Sequence, residues 1–166
     1  MKRSSLIVDS TSHNAIVTLN EQGIELSLDA ELEQPVLPKD ITTISDEDLM
    51  EMYTKFVAYS DWVNTQLSCA VIDEKDLERR IEYAEARCFL QLHNGKNSTV
   101  TLLKAQVDAD PEIAKLKEEH LQKYAYRKLI ETMANNYDRG SSVCSRELTR
   151  RTANDTFKTR AKRFQT

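Results

Sequence analysis

The chain has 166 residues, enough for one domain or a small domain with an appendage, and only 3 of them are Gly and 3 are Pro. Charged residues make up 30% and apolar residues 40%, which is typical of long solvent-exposed helices around a thin core. The net charge of -4 is uneven, since residues 1–62 carry -8, residues 63–138 carry -2 and residues 139–166 carry +6. An acidic front and a basic tail can attract each other between subunits, or the tail can bind a polyanion.

Several classes of protein are excluded by this composition. The three glycines, at positions 23, 95 and 140, are too far apart to form a phosphate-binding loop. No apolar stretch is long enough to cross a bilayer or to serve as a signal peptide, so no membrane partner is expected. The three cysteines are widely spaced and form no C-x-x-C pair, which indicates reduced thiols. We therefore expect a cytoplasmic protein, in the host cytoplasm if it is viral.

The first 40 residues predict a small β-prone domain. Residues 6–8 and 15–19 are β-branched runs, and residues 24–28 alternate apolar and polar side chains. Residues 20–23 lie between the last two runs and end in Gly23, so they are suited to the turn of an N-terminal β-hairpin. Two strands alone are marginally stable in water, so this segment should be mobile or pair with another subunit. Residues 31–39 contain Pro35 and Pro38 and indicate an extended linker.

A long helix is predicted over residues 45–92, which contain no Gly or Pro. Ser45 is suited to cap it, and the acidic first turn complements the helix dipole. A 4-3 spacing of mostly apolar residues over this length indicates a seam that packs against another helix. Ser60 and Glu74 are its two polar exceptions. The seam consists of Leu49, Tyr53, Phe56, Ser60, Val63, Leu67, Ala70, Glu74, Leu77, Ile81, Ala84 and Cys88.

The second half of the chain predicts further helices. Residues 98–107 are ambiguous, since residues 99–102 favour a strand and residues 103–106 favour a helix, and we expect a short helix. Asp110 followed by Pro111 marks the start of a long helix that should run to about Tyr137. This helix carries an apolar i+4 ladder and should fold back on the first as an antiparallel hairpin. Ser141 and Ser142 then cap a short basic helix over residues 143–151. The ladder consists of Leu121, Ala125, Leu129, Met133 and Tyr137.

The fold expected from these elements is mainly α: a long antiparallel helical hairpin plus short helices and a small N-terminal β-hairpin, in an oligomer. The predicted domains are the β-prone segment and linker at 1–40, the helical hairpin at 41–151, and a basic arm with little intrinsic order at 152–166.

No catalytic or metal site is predicted. His13, His93 and His120 lie in unlike contexts and form no i+3 or i+4 ligand pair with Cys or Asp. Asp108 and Asp110 lack the glycine and the terminal glutamate of a calcium loop. We therefore expect a protein that is not an enzyme and uses no cofactor.

Residues 59–64, Tyr-Ser-Asp-Trp-Val-Asn, carry a resemblance to a known family. They are similar to a Tyr-Ser-x-Trp-Leu-Asn element in the long N-terminal helix of phage recombination mediators of the UvsY kind. The similarity continues without a gap to Ala86-Arg87, where the family has a Lys-Ala-Arg element that helps bind single-stranded DNA. Leu103-Lys104-Ala105 and residues 108–110 also resemble a family stretch, so the match covers roughly residues 46–140. Glu85 occupies the position of the family's lysine.

The resemblance implies a small helical protein that forms a ring-like homo-oligomer. It implies binding to single-stranded DNA and loading of a recombinase onto strands covered by single-stranded-DNA-binding protein. Because Glu85 removes one cation, and affinity for phosphate grows with the number of cations, neighbouring basic residues and the basic tail become candidates as well. The candidate nucleic-acid-binding residues are Arg79, Arg80, Arg87, Lys96, Lys104, Arg146, Arg150 and Arg151.

Two alternatives stay open at this stage. The first is a phage structural or assembly protein, a virion component or scaffold, that uses the helical hairpin for packing; the strand-forming N-terminus favours it. The second is a regulator anchored to duplex DNA by its basic C-terminus, although no helix-turn-helix spacing precedes that segment.

Overall fold

The computed structural model describes residues 10–26, 32–93 and 99–163, with side chains described as far as residue 157. Within these ranges the chain is mainly helical, as predicted, and contains no strand. The elements are helix α1 (Thr11–Glu21), a short 3₁₀ helix (Ile41–Thr43), and helices α2 (Asp46–Leu92), α3 (Val100–Asp108) and α4 (Pro111–Arg163).

Helix α1 corrects the prediction of an N-terminal β-hairpin. Residues 15–19, predicted as a strand, lie inside α1, because the Ser10 hydroxyl caps the helix by accepting from the His13 N–H at 3.2 Å. The Ser12 N–H donates to Asp73 at 3.3 Å, and Ile16, one turn later, is buried. Gly23 has φ 78 and terminates the helix instead of joining two strands. Residues 24–26 form no strand. Residues 6–8 and 27–28, which were also predicted as strand, lie outside the described residues.

Helix α2 matches the predicted stretch, and the short helix predicted at residues 98–107 is observed as α3 at Val100–Asp108. The Ser45 hydroxyl accepts from the Asp48 N–H at 3.0 Å and donates to the Asp48 carboxylate at 2.8 Å, which is a reciprocal N-terminal cap. Every position of the predicted α2 seam is buried or half-buried, including the polar residues Ser60 and Glu74. The glycine expected to end α2, Gly95, lies outside the described residues.

Helix α4 begins where it was predicted but does not end there. Asp110 accepts hydrogen bonds from the N–H groups of Glu112 and Ile113, at 2.9 and 3.2 Å, and so caps the helix before Pro111. The predicted break near Gly140 is absent from the described chain, because Gly140 is a buried helical position against the Phe56 ring. The separate helix at 143–151 is therefore part of α4, and the arm predicted to lack order is helical from 152 to 163.

The chain forms two compact units: Met1–Leu26 with Gln66–Ile130, and Ser27–Thr65 with Glu131–Thr166. In the first unit, Glu74 pairs with Arg127 and Glu85 pairs with Lys117, so α2 and α4 run antiparallel. This unit has a thin core of small and medium-sized apolar residues. They are Ile16, Cys69, Ala70, Leu77, Leu103, Val107, Ile113 and Ile130.

The second unit also contains an antiparallel pair of segments from α2 and α4. Ser60 donates to Asp138, and Asp46 pairs with Arg151 at 2.5 Å. The rings of Phe56, Tyr59 and Tyr137 pack together in its core, with centroids of Tyr59 and Tyr137 4.6 Å apart. The other buried apolar residues of this unit are Leu49, Val63, Ala134 and Cys144.

Candidate nucleic-acid interface

A groove in the first unit brings three of the predicted basic residues together. Arg79, Arg80 and Arg87 line it from the last third of α2, and all three are exposed. The groove has a volume of about 580 Å³ and lies between α2 and the first turns of α4. Its other lining residues are Tyr83, Ala84, Cys88, Gln91, Asp110, Glu112, Ile113 and Leu116.

The three arginines form the cationic rim of this groove, and the helical periodicity of α2 aligns them. Arg80 and Arg87 are separated by seven residues, about two turns or roughly 10 Å along α2, and therefore project from the same face. Among the residues that the structure describes, neither makes a hydrogen bond or ion pair. Arg79 donates to Asp76 at 3.0 Å, but its side chain is largely exposed, so this pair is a weak constraint.

The floor and the far wall of the groove differ from its arginine rim. Ala84, Cys88 and Ile113 contribute small or apolar surface. Burial and the nearby Asp110 carboxylate raise the pKa of the Cys88 thiol, so it is a protonated, weakly polar group at neutral pH. Asp110 and Glu112 place two carboxylates on the α4 side, although the Asp110 carboxylate also caps α4. The groove is thus cationic on one side, apolar below and acidic on the other side.

Glu85, which the resemblance aligns with a lysine, does not line the groove of Arg79, Arg80 and Arg87, which we call the arginine groove. Its carboxylate pairs with Lys117 at 2.7 Å, and Lys117 also pairs with Asp108 at 2.7 Å. Glu85 lies instead in a second, shallower depression together with Glu82, Lys104 and Asp108. Glu85 therefore shares Lys117 with Asp108 and is not among the residues that line the groove of the three arginines.

Of the other predicted basic residues, those that the structure describes are absent from the lining of this groove. Lys104 is exposed on α3, in the depression that also contains Glu82, Glu85 and Asp108, where carboxylates outnumber cations. Lys96 lies outside the described residues. Arg146 is exposed in the second unit, on α4.

Arg150 and Arg151 are held by Glu147, a buried carboxylate on α4. Hydrogen bonds from the two guanidinium groups lower the pKa of Glu147 to about 2. The Arg151 side chain is only 15% exposed, and it also donates to the backbone carbonyls of Ile41 and Ile44. These donors fasten the start of α2 to α4 and leave little of the Arg151 guanidinium for a phosphate. Arg150 is half-exposed and can still offer part of its guanidinium.

One cluster that the sequence analysis missed lies between α2 and α4 of the first unit. The Nε2 atom of His120 is 3.4 Å from Glu78 and 3.9 Å from Glu74, and one ligand atom from each of the three residues falls within 4.8 Å of the others. Examining histidines for local partners could not reveal it, because the carboxylates come from another helix. Arg127 and Lys75 already balance the two carboxylates, so the cluster does not require a cation.

No protein-family model, curated protein or solved structure matches this chain. Within the described ranges, no helix combines the length and the apolar character that are needed to cross a membrane.

Proposed function

We propose that this protein binds single-stranded DNA through the arginine groove and acts, as a homo-oligomer, as a recombination mediator that promotes recombinase loading. The observation that carries the binding part is the alignment of Arg79, Arg80 and Arg87 along one exposed groove. Guanidinium groups bind phosphate oxygens through paired hydrogen bonds, and two unpaired ones about two turns apart can hold successive parts of one strand. The mediator part rests on the resemblance to the UvsY kind.

The position of Glu85 supports the proposal. In the family resemblance this glutamate replaces a DNA-binding lysine, which would place a repulsive charge beside the strand. Glu85 pairs with Lys117 and does not line the groove, which weakens that objection. Arg79 and Arg80, one to two turns earlier on α2, supply the missing cations.

Oligomerisation would convert a weak groove into a strong binding surface. Because only three arginines line it, a single groove is expected to bind weakly at physiological salt. Several grooves on one oligomer bind the same strand with an avidity that far exceeds the affinity of one groove. This is the physical reason why the binding and the homo-oligomer belong to one proposal.

The test is a salt titration of a short labelled oligonucleotide that spans one groove, read by fluorescence anisotropy. For single strands the slope of log K against log salt is about -0.7 per phosphate neutralised, so three arginines predict a slope of about -2. The variant Arg80→Ala/Arg87→Ala should lower the affinity and bring the slope to about -0.7. Lys115→Ala removes a charge from an exposed α4 position of the same unit outside the groove and serves as the control. Equal slopes for wild type and the double variant would refute the site.

The loading activity is tested separately. Wild type should increase recombinase assembly on strands already covered by single-stranded-DNA-binding protein, and the double arginine variant should not. Arg146→Ala tests whether the second unit adds to the DNA contact, since Arg146 is exposed there. Arg151 is kept in all variants because its replacement would disturb the fold.

A structural or assembly role is the second candidate, and one observation favours it. Leu121 and Leu129 of the predicted α4 ladder are 65% and 68% exposed, so an apolar strip of α4 has no cover within its own unit. This role predicts copurification with phage particles and no binding to oligonucleotides at moderate salt. Light scattering with and without an oligonucleotide separates the two candidates.

A further inference from the structure

Tyr83 is an exposed aromatic residue in the middle of the cationic rim. It lies three residues after Arg80 and four before Arg87, so all three side chains project from neighbouring positions on one face of α2. Its side chain is 73% exposed and lines the groove. Among the residues that the structure describes, Tyr83 makes no hydrogen bond and no ring contact. Packing among the described residues therefore does not account for a tyrosine at this position.

The groove beside Tyr83 is poorly suited to phosphate alone. A surface that only neutralises phosphates gains nothing from apolar area, whereas this groove has an apolar floor that includes Ala84 and Ile113. Asp110 and Glu112 form its far wall and would repel the backbone of a second strand. The asymmetry fits one strand whose phosphates lie on the arginines and whose bases lie toward the tyrosine and the floor.

We infer that Tyr83 is a base-stacking residue and that it makes the groove select unpaired bases over duplex. The inference rests on the proposed function, since it concerns the same groove. Aromatic side chains stack on any base, which gives affinity without sequence preference. In a duplex the bases are stacked on each other and paired, so they cannot reach a single ring on a helix face. The arginines then supply the charge contacts, and Tyr83 supplies the distinction between single strand and duplex.

The experiment compares three ligands of equal length: a single-stranded oligonucleotide, its abasic counterpart with the same phosphates, and the duplex. Wild type should bind the first ligand more tightly than the other two. Stacking of one base predicts a loss of about 5- to 150-fold in affinity for the single strand in Tyr83→Ala. The variant should lose most of the preference for the normal over the abasic strand and keep the salt dependence of wild type, because the arginines are intact. Tyr83→Trp should retain the preference.

Tyr126→Ala provides the matched control, since Tyr126 is an exposed tyrosine of the same unit that does not line the groove. It should leave all three affinities unchanged. Far-UV circular dichroism checks that each variant keeps its helical content, which an exposed position should allow. If Tyr83→Ala keeps the wild-type preference for bases over abasic sites, the stacking role is overturned while the arginine groove stands. If wild type binds none of the three ligands, the proposed function fails, and the inference fails with it.

Discussion

The pairing of Glu74 with Arg127 offers a sharp test of how the first unit is held together. Glu74 occupies a seam position of α2 and is only 4% exposed, and its carboxylate accepts from both Nε and Nη2 of Arg127. Replacing the arginine by methionine keeps much of the apolar stem but leaves the carboxylate buried without its guanidinium. Removing one partner of a buried ion pair typically costs about 3–5 kcal/mol, a large share of the stability of a small unit.

The double variant Glu74→Leu/Arg127→Met separates the value of the pair from the cost of an unpaired charge. It restores an apolar residue at the α2 seam position, and such replacements are often neutral or stabilising by about 1–4 kcal/mol. The free energy of unfolding is measured by urea titration followed by circular dichroism, and the variants are compared provided that their m-values agree. Arg79→Met breaks the exposed pair with Asp76 and, as a control, should cost less than about 1 kcal/mol. A cost below about 1 kcal/mol for Arg127→Met, or a double variant as unstable as the single one, would refute the reasoning.

Two further predictions concern the second unit. Gly140→Ala should lower the melting temperature although alanine is the better helix former, because the new Cβ would lie 2.6 Å from Cδ1 of Phe56. In a Phe56→Leu background, the same Gly140→Ala change should instead raise the melting temperature, as measured by thermal unfolding. Since the folded-state pKa of Glu147 is lowered from 4.5 to about 2, its contribution is fully present above pH 4.5 and is lost as pH falls toward 2. Glu147→Gln should therefore be less stable at neutral pH and lose less stability on acidification, whereas parallel pH profiles for the two proteins would contradict this.

Much of the fold was predictable from local chemistry. The start of α2 follows from Ser45 and the acidic turn after it, and the start of α4 follows from Asp110 and Pro111, because caps depend on residues within one turn. The 4-3 spacing of α2 correctly gave its packing face. Sequence alone failed at residues 15–19, where β-branched side chains favour a strand but the Ser10 cap and burial of Ile16 impose a helix.

Gly140 shows why a breaker residue can mislead. In isolation a glycine within a helix is unfavourable by about 1 kcal/mol, so a helix end near Asp138 and Gly140 was the reasonable expectation. Here the missing side chain lets the ring of Phe56 approach the α4 backbone. The reason for the glycine therefore lies in a side chain of α2, far from it in the sequence. Separation in sequence also concealed the groove, because its arginines lie on α2 whereas Ile113 of its floor and its two carboxylates lie at the start of α4.

The packing face of α4 was the hardest feature to predict, because charge pairing defines it as much as apolar spacing does. Leu121 and Leu129 suggest one face, yet both are exposed, while the half-buried residues of the first unit include His120, Lys123 and Arg127. Each of these three cations or potential cations lies near a carboxylate of α2: Glu78, Asp73 and Glu74, respectively. A hydropathy pattern reads such positions as solvent-facing, since it cannot represent a partner on another helix. Glu74 and Ser60, the two polar positions of the α2 seam, are therefore the seam residues that form polar contacts with α4. The exposed apolar face with Leu121 and Leu129 is available for contacts beyond the unit.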